Sequence, residues 1–494
     1  MADPTLPELA RQLADTQQAL AHTQTALNLV WILIAAFLVM FMQAGFALLE
    51  TGLTRAKNVA HTMGMNYLVY AIGILGFWSV GFAFQMGGVG PLATLGGDAT
   101  LSRELAVTIA GKELGLLGLK GFFLTPESFT PAVAAMFLFQ MAFMDTTATI
   151  PTGAMAERWK FTSFVLFSFV ISTVIYPVYA NWVWGGGWLS ALGRHFGLGH
   201  GHVDFAGSSV VHLTGGTVAL VGARMLGPRL GKFGPDGSVR PIPGHSVPLL
   251  MTGTFILAFG WFGFNAGSTL AGTDVRISIV ATNTMLASAA GAFSSYLYVS
   301  RRFGKPDVTV LCNGMLAGLV SITASCAFVA APAAIAIGAI AGVLVVWGAV
   351  FVETRLKIDD PVGAIAVHGM NGTWGILALG LFADGTYGHG LNGVAGPVRG
   401  LLYGDARQLA AQCVGLAANV LYVGAAATAA LRAIDRLVGN RVSEEVELTG
   451  LDEPEMGMEG YAAATGPYRP AEPAGVPDAE PPDLAGEPVA ETPR

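Results

Sequence analysis

Two stretches of this chain share one pattern: Asp204-Phe-Ala-Gly-Ser-Ser-Val-Val-His212 and Asp360-Pro-Val-Gly-Ala-Ile-Ala-Val-His368. Each places a histidine eight residues after an aspartate, inside an otherwise apolar segment. The likeness extends to Gly216-Thr217 and Gly372-Thr373, which follow the two histidines at the same offset. An ionisable residue at membrane depth is costly and usually functional. A matched pair in two halves of a chain indicates an internal repeat with one shared pathway.

The composition predicts a helical membrane protein. Of 494 residues, 53% are apolar and only 12% are charged, about half the charged share of soluble proteins. Apolar runs of about 20 residues suit helices that cross a hydrocarbon core of ~30 Å. Because these runs are continuous and do not alternate, helices are favoured over a barrel. We predict eleven spans, at residues 29–50, 64–86, 129–155, 161–182, 205–226, 247–266, 276–299, 308–328, 332–352, 361–382 and 406–435.

Basic residues predict the orientation of these spans. Sixteen lysines and arginines follow the odd-numbered spans, whereas the opposite side holds eight, although it includes the longest loops. Because cytoplasmic loops are enriched in Lys and Arg, the amino terminus is predicted outside and the carboxyl terminus in the cytoplasm. Spans one to five and six to ten then form an inverted five-helix repeat, which a final helix follows.

Four segments are predicted along the chain. Residues 1–27 form an extracytoplasmic amphipathic segment, either a trimerising or surface helix or one packed on its own subunit. Its leucines recur every seven residues, at Leu6, Leu13, Leu20 and Leu27. Residues 28–436 form the transmembrane domain, and residues 437–462 form a cytoplasmic segment. Residues 463–494 are rich in Pro, Ala and Glu, a composition that cannot bury a core and predicts disorder.

The inverted repeat predicts a site at the bilayer midplane. It places His212 and His368 near a shared pseudo-twofold axis, where one imidazole nitrogen donates a hydrogen bond and the other accepts it. Two alternatives stay open. Each histidine could simply form a structural hydrogen bond with a neighbouring helix, or both could bind a haem as axial ligands. Asp204 and Asp360 begin helices and can cap exposed N–H groups. For Asp204, shaping an outer vestibule is a second interpretation.

Other classes of site have little support in the sequence. The three cysteines, Cys312, Cys326 and Cys413, lie within or beside predicted spans and are interpreted as packing residues. The sequence has no P-loop, metal-binding cluster or nucleophile triad. We therefore expect no catalytic residue, cofactor, metal or nucleic-acid partner, and we expect a protein that is not an enzyme.

Several further motifs carry a family resemblance. They are Glu50-Thr-Gly-Leu-Thr-Arg-Ala-Lys-Asn58, Gly153-Ala-Met-Ala-Glu-Arg158, Trp182-Val-Trp-Gly-Gly-Gly187 and Trp261-Phe-Gly-Phe-Asn-Ala-Gly-Ser268. Together with the two Asp–His stretches they resemble the ammonium transporter family of the Amt/Mep/Rh superfamily, over about residues 28–462. The resemblance implies a homotrimer in a cell membrane, here the bacterial plasma or inner membrane. Each subunit would conduct ammonium or its analogue methylammonium.

The same resemblance implies roles for individual residues. Phe143, Trp184 and Ser268 correspond to an outer recruitment site, here called the aromatic cage. Phe143 and Phe264 correspond to a pair of stacked phenylalanines that closes the outer vestibule, and Trp261 lines the path beside the twin histidines. Ammonium would lose its proton near the phenylalanines, and ammonia would pass the imidazoles and regain a proton inside. The twin histidines would either guide ammonia by hydrogen bonds or relay the proton separately.

The chain departs from the family pattern at one position. An acidic residue often lies five positions before the second histidine, where this chain has Gly363, so a role of a carboxylate there is missing. The cytoplasmic segment resembles the family's regulatory tail, which suggests a PII-type signalling protein as a partner. An ammonium sensor of the same fold with weak conduction is the alternative function.

Overall fold

Apolar helices account for most of the structure, a computed structural model that describes residues 5–97 and 99–461. The α-helices of this part of the chain are α1 Leu6–Leu53, α2 Val59–Gly76, α3 Phe82–Met86, α4 Pro131–Met155, α5 Phe161–Val170, α6 Tyr176–Trp184, α7 Leu192–Phe196, α8 Thr214–Leu226, α9 Val247–Trp261, α10 Ile277–Phe303, α11 Val308–Ile322, α12 Ala331–Thr354, α13 Asn371–Phe382, α14 Ala406–Val438, α15 Glu444–Thr449 and α16 Asp452–Met456.

These helices confirm an all-α polytopic membrane protein. Within the described residues ten helices are long and apolar enough to span a bilayer, and the shorter apolar helix α11 matches the eighth predicted span. The orientation of the termini stays a prediction. We call the side where α1 begins the outer face and the side where α14 ends the inner face, following that prediction.

In the described part of the chain, five of the spans contain a π-helical turn, which the sequence did not predict. These turns are Phe77–Gly81, Ile171–Ile175, Ser208–Leu213, Phe262–Ala266 and Ile365–Met370. A π-helical turn adds a residue to the helical repeat and is frequent at functional sites. Three of the five turns carry residues of the predicted pathway, namely His212, Phe264 and His368. The irregular backbone thus changes the direction of these side chains relative to a regular α-helix.

The amino-terminal segment is not a separate short helix. From Leu6 it runs without a break into the first span, giving one helix of 48 residues. Its heptad leucines are exposed, from 83% at Leu6 to 49% at Leu27. This exposure favours a contact with another molecule over packing on its own subunit, and such a contact remains a prediction.

A small hairpin covers the outer face. Strands β1 (Glu104–Ile109) and β2 (Lys112–Gly118) pair antiparallel between α3 and α4. The Trp182 indole N–H donates to the Leu116 carbonyl at 3.0 Å, which ties β2 to the outer end of α6. The hairpin thereby holds the helix that presents Trp184.

Buried charges connect the loops of the inner face. The Arg229 guanidinium contacts both oxygens of Asp359, at 2.8 and 2.9 Å, and reaches Glu157 at 3.1 Å. Arg55 pairs with the other oxygen of Glu157. Burial alone would raise the pKa of Asp359, but the hydrogen bonds and charge of Arg229 outweigh burial and lower this pKa to about 2. The cluster joins the loops that follow α1, α4, α8 and α12.

The chain after α14 packs against the same inner face. Asp452 accepts the backbone N–H of His61 at 2.9 Å, and Glu455 accepts that of Phe161 at 2.8 Å. Both carboxylates thus lie at helix amino termini, where the helix dipole favours negative charge. The predicted disordered segment 463–494 lies outside the described residues.

Candidate functional site

The two Asp–His stretches fold alike. The Asp204 carboxylate accepts the N–H of Gly207 at 2.9 Å, and the Asp360 carboxylate accepts that of Gly363 at 3.0 Å. Both glycines have left-handed backbone, with φ of +118° and +78°, which glycine adopts without strain. Gly363 is therefore the repeat counterpart of Gly207, which gives a backbone reason for glycine where an acidic residue was expected.

Asp204 organises the outer start of its helix. Its carboxylate also accepts the backbone N–H groups of Ser208, Ser209 and Val210 at 2.7 to 2.9 Å and the Ser209 hydroxyl at 2.7 Å. The His202 Nε2 atom lies 2.9 Å from the same hydroxyl. Burial lowers the pKa of His202 to about 4, against the opposing effect of Asp204. The imidazole is therefore neutral near pH 7 and does not repel a cation.

The two histidines are in direct contact. His212 and His368 are buried, their Nδ1 atoms are 3.2 Å apart, and their ring centroids are 5.2 Å apart. One Nδ1 must carry the proton that the other accepts, so the two rings are opposite tautomers when both are neutral. Because the rings touch, no space remains between them for an iron porphyrin, which argues against the haem alternative.

Matched glycines allow this contact. A Cβ atom on Gly216 would lie 2.3 Å from the backbone nitrogen of Gly369, and one on Gly372 would lie 2.6 Å from the Ser208 carbonyl oxygen. Small residues let membrane helices approach until their backbones touch. The glycines that repeat after each histidine therefore set how close α8 comes to the π-helical turn Ile365–Met370, and α13 to the turn Ser208–Leu213. These two turns carry the imidazoles.

We expect Gly216→Ala to destabilise the protein and separate the histidines. The new methyl group would overlap backbone atoms, and overpacking of this kind costs roughly 1–3 kcal/mol. Thermal unfolding in detergent should show a lower midpoint. Gly424→Ala is the matched control, since its Cβ would meet its nearest neighbour, Thr217, at 3.9 Å. Equal unfolding midpoints for both variants would contradict the packing argument.

Aromatic rings continue from the histidines toward the outer face. The centroid of His212 lies 5.4 Å from Phe264 and 5.2 Å from Trp261. Phe264 lies 4.3 Å from Phe143, which contacts Trp184 edge to face at 5.9 Å. The structure therefore brings these residues, predicted from separate motifs, into one continuous stack.

Cavities lie at both ends of this stack. The outer one measures about 760 Å³, and its wall includes Phe143, Trp184 and Ser268. The Ser268 hydroxyl donates to the Phe264 carbonyl at 2.8 Å, so its oxygen lone pairs can still accept a hydrogen bond. The inner cavity measures about 20 Å³ and borders His368, room for about one water molecule. The ring stack that separates the two cavities leaves no room for a fully hydrated ion.

Comparison with known proteins identifies the family. The family model for the Ammonium Transporter Family matches residues 30–461. The chain belongs to this family. Ammonium transporter Amt2 of Archaeoglobus fulgidus is 46% identical over 434 residues, 87% of each chain. Ammonium transporter Amt1 of Haloferax mediterranei is 38% identical over 88% of this chain and 79% of its own.

Solved structures of the ammonium transporter family agree. A structure titled "Sensor Amt Protein" has a TM-score of 0.76 and 35% identity, covering 88% of this chain and 99% of its own. Mep2 of Candida albicans has a TM-score of 0.69 and 28% identity, covering 85% and 86%. The protein is accordingly a multi-pass membrane protein of a transporter family.

Sequence reasoning missed several residues of the site. His202 and Ser209 support Asp204, and Phe46 packs against His368 with ring centroids 6.2 Å apart. Glu50 also borders the inner cavity. An acidic residue at the end of an apolar run was a signal for Glu50. Phe46 and His368 are far apart in the chain and left no local pattern. His202 and Ser209 lie within seven residues of each other, but their spacing matches no motif.

Proposed function

We propose that the protein conducts ammonium by separating it into ammonia and a proton at the outer end of the ring stack. The observation that carries the proposal is the unbroken contact from Phe143 through Phe264 and His212 to His368. Moving a bare ion into such surroundings has an idealised cost of order 20 kcal/mol. Neutral ammonia avoids most of that cost, so the stack favours ammonia over the cation.

The outer cavity supplies a site for ammonium before this step. Aromatic faces attract compact cations by ~0.5–2 kcal/mol, and Trp184 and Phe143 meet edge to face at the cavity wall. The oxygen of Ser268 can accept one ammonium N–H. Because the imidazole of His202 is neutral, it does not repel the ammonium cation. Together these groups form the proposed aromatic cage.

The twin histidines offer ammonia hydrogen bonds inside the stack. Their Nδ1–Nδ1 contact uses one nitrogen of each ring, and the His212 Nε2 atom has no hydrogen-bond partner among the described residues. That nitrogen is available to ammonia or to a proton relayed separately from it. Hydrogen bonding to ammonia and relay of a separate proton both agree with the geometry. The two roles differ in whether net charge crosses the membrane.

We expect ammonium- or methylammonium-dependent uptake in proteoliposomes, weakened by Trp184→Ala. Loss of a cation–π contact of ~0.5–2 kcal/mol corresponds to a roughly 2- to 30-fold increase in the half-saturating concentration. Uptake rates over a range of external concentrations measure this constant. Trp347→Ala is the control, because Trp347 is 49% exposed on α12 and stacks on Phe351. No ammonium-dependent uptake by the wild type would overturn the proposal.

A second candidate is an ammonium sensor with weak conduction. It is favoured by the likeness to the structure titled "Sensor Amt Protein". The segment 437–462, which packs on the inner face through Asp452 and Glu455, would transmit the signal. Ammonium binding without flux, accompanied by altered proteolysis of this segment, would support the sensor over the transporter.

The assembly follows as part of the same proposal. We propose a homotrimer in a bacterial inner membrane, in which residues 1–27 contribute an outer contact and residues 437–462 a regulatory surface. Exposed leucines on α1 support the first, and the docking of α15 and α16 supports the second. A PII-type signalling protein is the proposed partner at the inner face.

A further inference from the structure

The inner end of the pathway contains a carboxylate that the proposed mechanism leaves unused. Glu50 lies one turn before the end of α1 and is 2% exposed. Its side chain borders the same small cavity as His368. In the described part of the chain no lysine, arginine or histidine forms a salt bridge with it.

Two polar side chains hold this carboxylate in place. Asn66 donates to one oxygen at 2.7 Å, and the Thr152 hydroxyl lies 2.8 and 3.0 Å from the two oxygens. These donors come from α2 and α4, so three helices converge on one acid group. Because they are neutral, they orient the carboxylate without supplying a counter-charge. A buried charge needs such a partner, so the site favours either a proton or a small cation.

The cavity next to Glu50 suits a molecule the size of ammonia. It measures about 20 Å³ and is walled by Phe46, Asn313 and His368 as well as Glu50. Nothing larger than about one water molecule fits. A species that leaves the imidazole of His368 toward the inner face therefore meets the Glu50 carboxyl group next.

Residue 363, where the family pattern often has an acid, lies beside the same cavity as Glu50. The neighbours Val362 and Ala364 line the same cavity. A Cβ atom on Gly363 would lie 3.0 Å from the side-chain nitrogen of Asn313. Asn313 also lines this cavity. An acidic side chain at 363 would therefore lie near the same cavity as the carboxylate of Glu50.

We propose that Glu50 forms an inner ammonium site, at which ammonia regains its proton before release. The inference rests on the proposed function, since it requires ammonia to arrive from the histidine pair. In the step, the O–H bond of the Glu50 carboxyl group breaks and an N–H bond forms on ammonia. The products, a carboxylate and ammonium, are held by a charge-assisted hydrogen bond. Ammonium then leaves for the cytoplasm, and a proton from cytoplasmic water restores the carboxyl group.

Among the residues that the structure describes, two other titratable groups face this site. The Asp360 carboxylate acts on Glu50 electrostatically but is engaged with the N–H groups of Gly363 and Ile365, at 3.0 and 2.7 Å. His368 lies across the cavity, with its Nδ1 bound to His212. The dependence of flux on inner pH should therefore arise mainly at Glu50.

Uptake by uniformly oriented proteoliposomes, with the pH of each side set separately, tests this site. For Glu50→Gln, which keeps the shape but cannot deliver a proton in this way, we expect maximal flux to fall at least about tenfold and its inner-pH dependence to vanish. The half-saturating outer concentration should stay within about twofold, because the aromatic cage is intact. Glu127→Gln, which removes an exposed carboxylate before α4 on the outer face, should match the wild type.

The possible outcomes distinguish a failure of the inner site from a failure of the proposed function. If the wild type shows no ammonium-dependent flux, both the proposed function and the inner site are overturned. A wild type that transports, with a folded Glu50→Gln variant of equal flux and equal inner-pH dependence, overturns the inner site alone. If Glu50→Gln does not fold, infrared difference spectra of wild type and Glu50→Asp decide. Ammonium should remove a protonated-carboxyl band that shifts in Glu50→Asp, and an unchanged carboxyl region in the wild type overturns the proposal.

Discussion

Replacing both histidines of the proposed pathway with alanine should abolish ammonium-dependent flux. In His212→Ala/His368→Ala, ammonia would cross the centre of the stack without a hydrogen-bond partner. An unsatisfied polar group in such surroundings costs about 1–3 kcal/mol, and the variant removes both imidazoles. We therefore expect at least a tenfold loss, to near the background of protein-free liposomes. Solid-supported-membrane electrophysiology measures the current, and pH-sensitive dyes in the same vesicles report neutral ammonia.

The control for this variant is His245→Ala. His245 lies in the loop before α9, where its ring binds the Thr54 carbonyl at 2.8 Å, away from the ring stack. Its current should equal that of the wild type. A double variant that folds, shown by an unchanged elution profile and unfolding midpoint, yet conducts normally would refute the pathway. Lost current with persisting alkalinisation would assign the histidines to proton relay rather than to ammonia.

Removing Arg229 should produce the largest loss of stability. Arg229 is 3% exposed and lies between Glu157 and Asp359, which are 0% and 1% exposed. In Arg229→Met the aliphatic volume remains, but two buried carboxylates lose their shared cation. Breaking a buried pair in this way costs about 3–5 kcal/mol. The free energy of unfolding in detergent, from denaturant titration, should fall by that amount.

The matched control is Arg240→Met, which removes an exposed arginine from the same loop. Its effect on the free energy of unfolding should stay below about 0.5 kcal/mol. Arg229 is the centre of the cluster that joins four inner loops, and the next residue, Leu230, donates its N–H to Glu447 of α15 at 2.6 Å. Loss of Arg229 should therefore also increase proteolysis near α15. Equal stability of the two variants would show that the buried cluster contributes little.

Much of the fold was predictable because membrane spans leave a strong local pattern. Apolar length alone located the eleven spans, usually to within a few residues. The first span was the exception, since α1 begins at Leu6 and its polar amino-terminal half carries no hydrophobic signal of a span. Strands β1 and β2 were missed because they are short and do not alternate strictly between apolar and polar residues.

The residues of the candidate site could be named from the sequence and its family resemblance, but their mutual geometry could not. The Asp–His repeat and the aromatic motifs named His212, His368, Phe143, Phe264 and Trp184. Their order as one ring stack follows from π-helical turns that re-aim side chains, and sequence periodicity carries no signal for such turns. The inner carboxylate site was also missed, since Asn66 and Thr152 reach Glu50 from other helices.

By itself the sequence determined the number of spans, the repeat and the side chains available to the pathway. These are local properties, set by apolar length, spacing and residue type. Tertiary structure alone decided that Gly216 and Gly372 bring the imidazoles into contact, that Phe264 closes on Phe143, and that Glu50 borders the inner cavity. Each depends on backbones far apart in the chain approaching within van der Waals distance, which only the packing of whole helices establishes.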